Sequence, residues 1–100
     1  MWGILVDSRA PDIQFRSNLP KKTQGYPQFT WNASEPSNFE CALDNIENMR
    51  RCGGGTSGRW SGVNVPNGPR MLWVRGTDDM KNVGEWKSYK FDVGKENVYG

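Results

Sequence analysis

Apolar residues occupy every second position twice within one stretch of this 100-residue chain: Phe29, Trp31 and Ala33, then Phe39, Cys41 and Leu43. A period of two puts such residues on one side of a pleated strand, whereas a helix would scatter them around its circumference. Two half-buried strands are therefore expected, able to share one inner face. Glu35-Pro36-Ser37-Asn38 lies between them and reads as a turn, with a short hairpin as the simplest connection.

The rest of the chain is punctuated in the same way. Ile13 and Phe15 suggest an early strand, and Trp60, Val63 and Val65 another. Pro66-Asn67-Gly68-Pro69 is a turn by its chemistry and should pair that strand with the next run, Met71 to Arg75. That run is apolar on both faces, so periodicity alone does not choose its inner side. Tyr89, Phe91 and Val93 alternate cleanly with Ser88, Lys90 and Asp92. Gly53-Gly54-Gly55-Thr56-Ser57-Gly58 is expected to be a flexible loop, with at most a helical turn between Ile46 and Arg51 before it. About six or seven short strands joined by turns predict an all-β, two-sheet antiparallel sandwich.

Composition narrows the function classes. With 13 basic and 11 acidic residues dispersed along the chain, the net charge of +2 forms no stripe to neutralise phosphates, so nucleic acid is not an expected partner. No long apolar run suits membrane insertion. There is no histidine, no nucleophile elbow and no phosphate-binding loop, so neither catalysis nor a cofactor is expected.

Cys41 and Cys52 are the only cysteines. Without histidine they cannot complete a tetrahedral zinc site, and their spacing is not that of a redox CxxC pair. The residues favour a disulfide, closing a loop of about twelve residues and contributing about 2.5 to 3 kcal/mol; two buried thiols are the alternative. A disulfide also favours an extracellular setting.

In its context this pair resembles a family of extracellular immunoglobulin-like or fibronectin III-like repeats with the run S-E-P-x-x-F-E-C-x-L-D, then C, G and V-R-x-T-D-x-x-G-N. The matching residues are Ser34-Glu35-Pro36, Phe39-Glu40-Cys41, Leu43-Asp44, Cys52, Gly68, Val74-Arg75-Gly76-Thr77-Asp78 and Asn82. The chain departs from the pattern in lacking the glycine before Asn82 and in carrying the Gly53–Gly58 insertion. The resemblance implies tandem modules of surface or matrix proteins, with neighbouring modules as partners. It implies that Leu72 and Val74 face the core while Met71, Trp73 and Arg75 face outward. It also implies a domain over residues 10–94, preceded by a linker or module remnant at 1–9 and followed by a tail at 95–100.

Several residues have both a functional and a structural reading. Asn32-Ala33-Ser34 is a glycosylation acceptor or a chance match. Met71, Trp73, Arg75 and Trp86 form either an exposed patch for a protein or glycan ligand, or a cover over neighbouring side chains. Asp78, Asp79 and Asn82 are either calcium ligands or turn residues bonded to their own backbone. The leading expectation is a non-catalytic, extracellular module in adhesion, matrix assembly or ligand presentation. The alternatives are a carbohydrate-binding module of a secreted enzyme and a small stand-alone secreted inhibitor or effector.

Overall fold

The computed structural model describes residues 10–16 and 19–94; the expected linker at 1–9 and tail at 95–100 lie outside the described residues. Among the described residues there are six strands: β1 (Ile13–Phe15), β2 (Lys22–Thr23), β3 (Gln28–Leu43), β4 (Arg50–Ser61), β5 (Gly68–Thr77) and β6 (Lys87–Val93). A 3₁₀ turn, Ile46–Asn48, joins β3 to β4.

The two strands expected at 29–33 and 39–43 form one continuous strand, β3, and do not pair with each other as a hairpin. Trp31 and Phe39 lie eight residues apart along it, a span of about 26 Å in a straight strand. Their ring centroids are nevertheless 5.6 Å apart. β3 must therefore fold over, carrying its first half in one layer and its second half in the other. The bend falls at the segment expected to be a turn, but it is an arch between layers. Pro36 has no N–H to offer a ladder, and no strand pairs with it. The Ser37 hydroxyl donates to the Glu35 carbonyl oxygen at 2.8 Å within the bend.

The pairings follow from this arch. The first half of β3 pairs antiparallel with β1 through Trp31–Ala33, and its second half pairs with β5 through Asn38–Leu43. β6 continues the second layer beside β5, and β2 closes it by pairing parallel with β6. β4 follows the opposite edge of β3 through both layers, from Arg50 beside Cys41 to Ser61 beside Gln28. At the bend, residues 33–36 of β3 lie opposite Thr56 alone, because Asn32 pairs with Ser57 and Ser37 with Gly55. The expected flexible loop is thus half of a strand. Gly53 and Gly55, with φ of 119° and 116°, supply the left-handed conformations at which β4 turns with its partner.

The core between the layers is largely aromatic. Phe29 meets Phe91 at 4.6 Å and Tyr89 at 5.2 Å, and Phe15 meets Tyr89 at 5.6 Å. Together with Trp31 on Phe39, these contacts all run from one layer to the other. Ile13, Leu72, Val74, Val65 and Val93 complete the buried cluster, so the inward positions expected in β5 and β6 are the ones observed. The Trp31 indole lies flat over Gly58, where an added Cβ would come within 2.6 Å of the ring; only glycine leaves room for it. The Tyr89 hydroxyl donates to the Leu19 carbonyl at 2.8 Å, tying the segment before β2 to β6, and burial raises its pKa.

Two further expectations are corrected. Trp60, Val63 and Val65 do not share a strand: β4 ends at Ser61, Val63 is exposed, and Val65 is buried from the following loop. The connection through Pro66–Pro69 crosses between layers instead of forming a hairpin, since β5 pairs with β3 and β6 and not with β4.

Cys41 and Cys52 form a disulfide, with Cα atoms 5.8 Å apart. It joins neighbouring strands, β3 and β4. Beside it two residues of β4, Cys52 and Gly53, lie opposite Phe39 alone. The cross-link clamps β4 to β3 at a break in their ladder, where hydrogen bonding is weakest. Urea unfolding of oxidised and fully reduced protein should differ by about 3 kcal/mol; equal midpoints would show that the β3–β4 ladder holds without the clamp.

Candidate functional site

The outer face of the second layer gathers all four residues expected to form a patch. Met71, Trp73 and Arg75 alternate outward along β5, between inward Leu72 and Val74. Their cross-strand neighbours are Ala42 and Glu40 on β3 and Ser88 and Lys90 on β6. Trp86 precedes β6 and reaches the same surface, for the Arg75 guanidinium sits 4.5 Å from its ring centroid.

Each side chain on this face is held by specific partners. Arg75 Nε donates to Glu40 Oε1 at 2.7 Å from the directly opposite position on β3. Its charge is thus neutralised on one side while its plane stacks on Trp86 on the other. Trp73 Nε1 donates to the Asp44 carbonyl at 3.2 Å, and Ala42, opposite Trp73, is 3% exposed although it points outward. Trp73 therefore covers Ala42 and anchors the end of β3 while leaving part of its ring accessible.

Asp44 is a residue whose role the sequence reading missed. Its φ of 65° places it in the left-handed region at the end of β3. Oδ2 pairs with Arg70 at 2.7 Å, Oδ1 accepts from the Met71 N–H at 3.0 Å, and the Asp44 N–H donates to the Met71 carbonyl at 2.7 Å. The acidic-basic registers Glu40 to Arg75 and Asp44 to Arg70 were detectable only once β3 and β5 were known to be antiparallel neighbours.

The other sequence candidates lie elsewhere. Asn32 is exposed on the outer face of the first layer, between Gln14 and Ser57. Ser34, the third residue of its acceptor motif, accepts a hydrogen bond from the Asp12 N–H at 2.9 Å. Asp78 spends both carboxylate oxygens on its own loop: Oδ1 accepts from the N–H groups of Met80 and Asn82, and Oδ2 from the Asn82 side chain. Asp79 is exposed and does not join it. Among the described residues no three acidic or cysteine side chains converge as a metal site. An open cleft of about 640 Å³ lies at the arch end, lined by Pro11, Asp12, Ser34, Glu35, Gly84 and Glu85 among others.

No protein-family profile matches the chain, and no curated protein matches it by sequence. Solved structures do match in shape. The fibronectin(III)-like modules of Clostridium thermocellum CbhA are similar with a TM-score of 0.57 at 16% identity, covering 82% of this chain and 95% of theirs. The PKD domain of an M14-like peptidase from the Thermoplasmatales archaeon SCGC AB-540-F20 is similar with a TM-score of 0.55 at 12% identity, covering 86% and 94%. At such identities the likeness concerns the fold, which is an all-β, immunoglobulin-like sandwich.

The loop bonds of Asp78 generate a pH prediction. The Asn82 side chain, then its N–H and more weakly that of Met80, hold the Asp78 carboxyl below its ordinary pKa, against partial desolvation. A carboxyl whose pKa falls on folding stabilises the fold above its unfolded pKa, and that contribution is lost as pH drops through the lower folded value. The wild-type advantage over Asp78→Ala in urea midpoint should be complete at neutral pH and shrink below about pH 4. An advantage that does not change with pH would show that the carboxylate is not what holds the loop.

Proposed function

We propose that the chain is a non-catalytic, extracellular immunoglobulin-like module of a larger protein, serving adhesion, matrix assembly or ligand presentation. Its sequence resembles the pattern of tandem extracellular repeats, and neighbouring modules are the proposed partners. The disulfide supports an oxidising compartment, and among solved structures of similar shape are modules of CbhA and a domain of a peptidase.

The observation that carries the binding part of the proposal is the union of Met71, Trp73, Arg75 and Trp86 on one outer sheet face. A flat surface with two partly accessible indoles and a pre-oriented guanidinium offers apolar area at small entropic cost, since Glu40 and Trp86 already hold Arg75 in place. A protein or glycan ligand is the occupant such a surface suits. The paired tryptophans also favour a second reading, a carbohydrate-binding module stacking sugar rings on Trp73 and Trp86.

Intrinsic tryptophan fluorescence tests both. Titration with flanking modules of the intact protein or with soluble polysaccharides should give a saturable change with one class, weakened at least about tenfold in Trp86→Ala. That variant should keep its fold, because Trp86 lies outside the cluster buried between the layers, and its far-UV circular dichroism checks this. Saturation with polysaccharide alone selects the second reading; a folded Trp86→Ala that binds as the wild type does removes the face from the account.

A further inference from the structure

β4 is the outer strand of both layers. It pairs with β3 along one side, and among the described strands nothing pairs with its other side. At 12 residues it is far longer than the other edge strands, β1 with 3 and β2 with 2. Natural sheets shorten, cover or block such edges, because a row of unpaired N–H and C=O groups is a template for another strand. Here the edge is neither short nor covered, and its glycine-rich centre leaves the backbone open to approach.

The chemistry of the edge selects its occupant. β4 carries Arg50, Arg51 and Arg59, all exposed, and no acidic residue. Among the described residues none of the three forms an ion pair; Arg51 donates to the Asn38 side chain at 3.0 Å. Pairing β4 with β4 of a second copy would line six arginines along one seam, a like-charge arrangement that opposes self-association. An acidic strand would be attracted instead.

Alternation gives the pattern of that strand. Along the regular stretch Ser57–Ser61, Gly58 and Trp60 lie opposite the inward Trp31 and Phe29, so Ser57, Arg59 and Ser61 point outward. Trp60 is only half-buried at the rim of the core, beside Val65 and the exposed Val63. A strand added here would set its outward residues near Arg59 and its inward residues against Trp60. We propose that the free edge of β4 at Ser57–Ser61 is a strand-addition site for an extended partner segment that alternates acidic and apolar residues. Backbone hydrogen bonds supply affinity, Arg59 selects charge, and the rim around Trp60 receives the apolar side chains.

The test uses the full chain with a short blocked peptide of alternating glutamate and valine, and its lysine–valine counterpart. The acidic peptide should bind and slow hydrogen exchange at alternate amides within Ser57–Ser61, whereas the basic one should not bind. Arg59→Glu, an exposed change, should weaken the acidic peptide about tenfold or more and favour the basic one. Absence of binding, binding that leaves these amides unprotected, or the same protection arising from self-association without peptide would each overturn the proposal.

Discussion

The whole architecture depends on β3 folding across the core so that Trp31 and Phe39, eight residues apart along one strand, meet edge to face from opposite layers. Most sandwiches bring their layers together through separate strands joined by loops. Here one strand contributes to the inner face of both, and burying its aromatic side chains against those of β1 and β6 helps bring the layers together. The adjoining contacts of Phe29 with Phe91 and Tyr89, and of Phe15 with Tyr89, extend the same seam. Aromatic pairs of this kind add about 0.5 to 1.5 kcal/mol each beyond their buried area, a substantial share for a domain this small.

Everything placed beside β3 inherits its bend. β4 must turn with it, which accounts for positive φ at Gly53 and Gly55 and for the bulge next to the disulfide. β5 takes up the second half of β3 and thereby brings Arg75 opposite Glu40 and Arg70 to Asp44. The outer face that carries Trp73 and Trp86 is thus built on the second half of β3, while the arginine-bearing edge of β4 skirts both halves. These two surfaces differ in chemistry, one aromatic and half-covered, the other a basic backbone edge.

What the sequence revealed was governed by local chemistry, and what it concealed by long-range pairing. The alternation of Tyr89, Phe91 and Val93 already named the inner face of β6, and the resemblance to known repeats did the same for Leu72 and Val74. The glycine run at 53–58 misled because glycine is flexible on its own; its strand conformation comes from β3, to which Cys52 is clamped. Glu35-Pro36-Ser37-Asn38 reads as the turn of a hairpin but lies within one continuous strand, because nothing local distinguishes a hairpin turn from an arch between layers. Of the candidate site, the aromatic members were legible as outward positions. Asp44 was not, because its partners Arg70, Met71 and Trp73 lie 26 to 29 residues further along the chain.

The arch is tested most directly by proton NMR of the aromatic side chains. Nuclear Overhauser contacts between the Trp31 indole and the Phe39 ring should be strong, matching the edge-to-face geometry at 5.6 Å. If Trp31 instead shows no contact with Phe39 and the cross-strand contacts of β3 with β4 continue in even register from Asn32 to Ser37, β3 does not cross the core and this account of the fold fails.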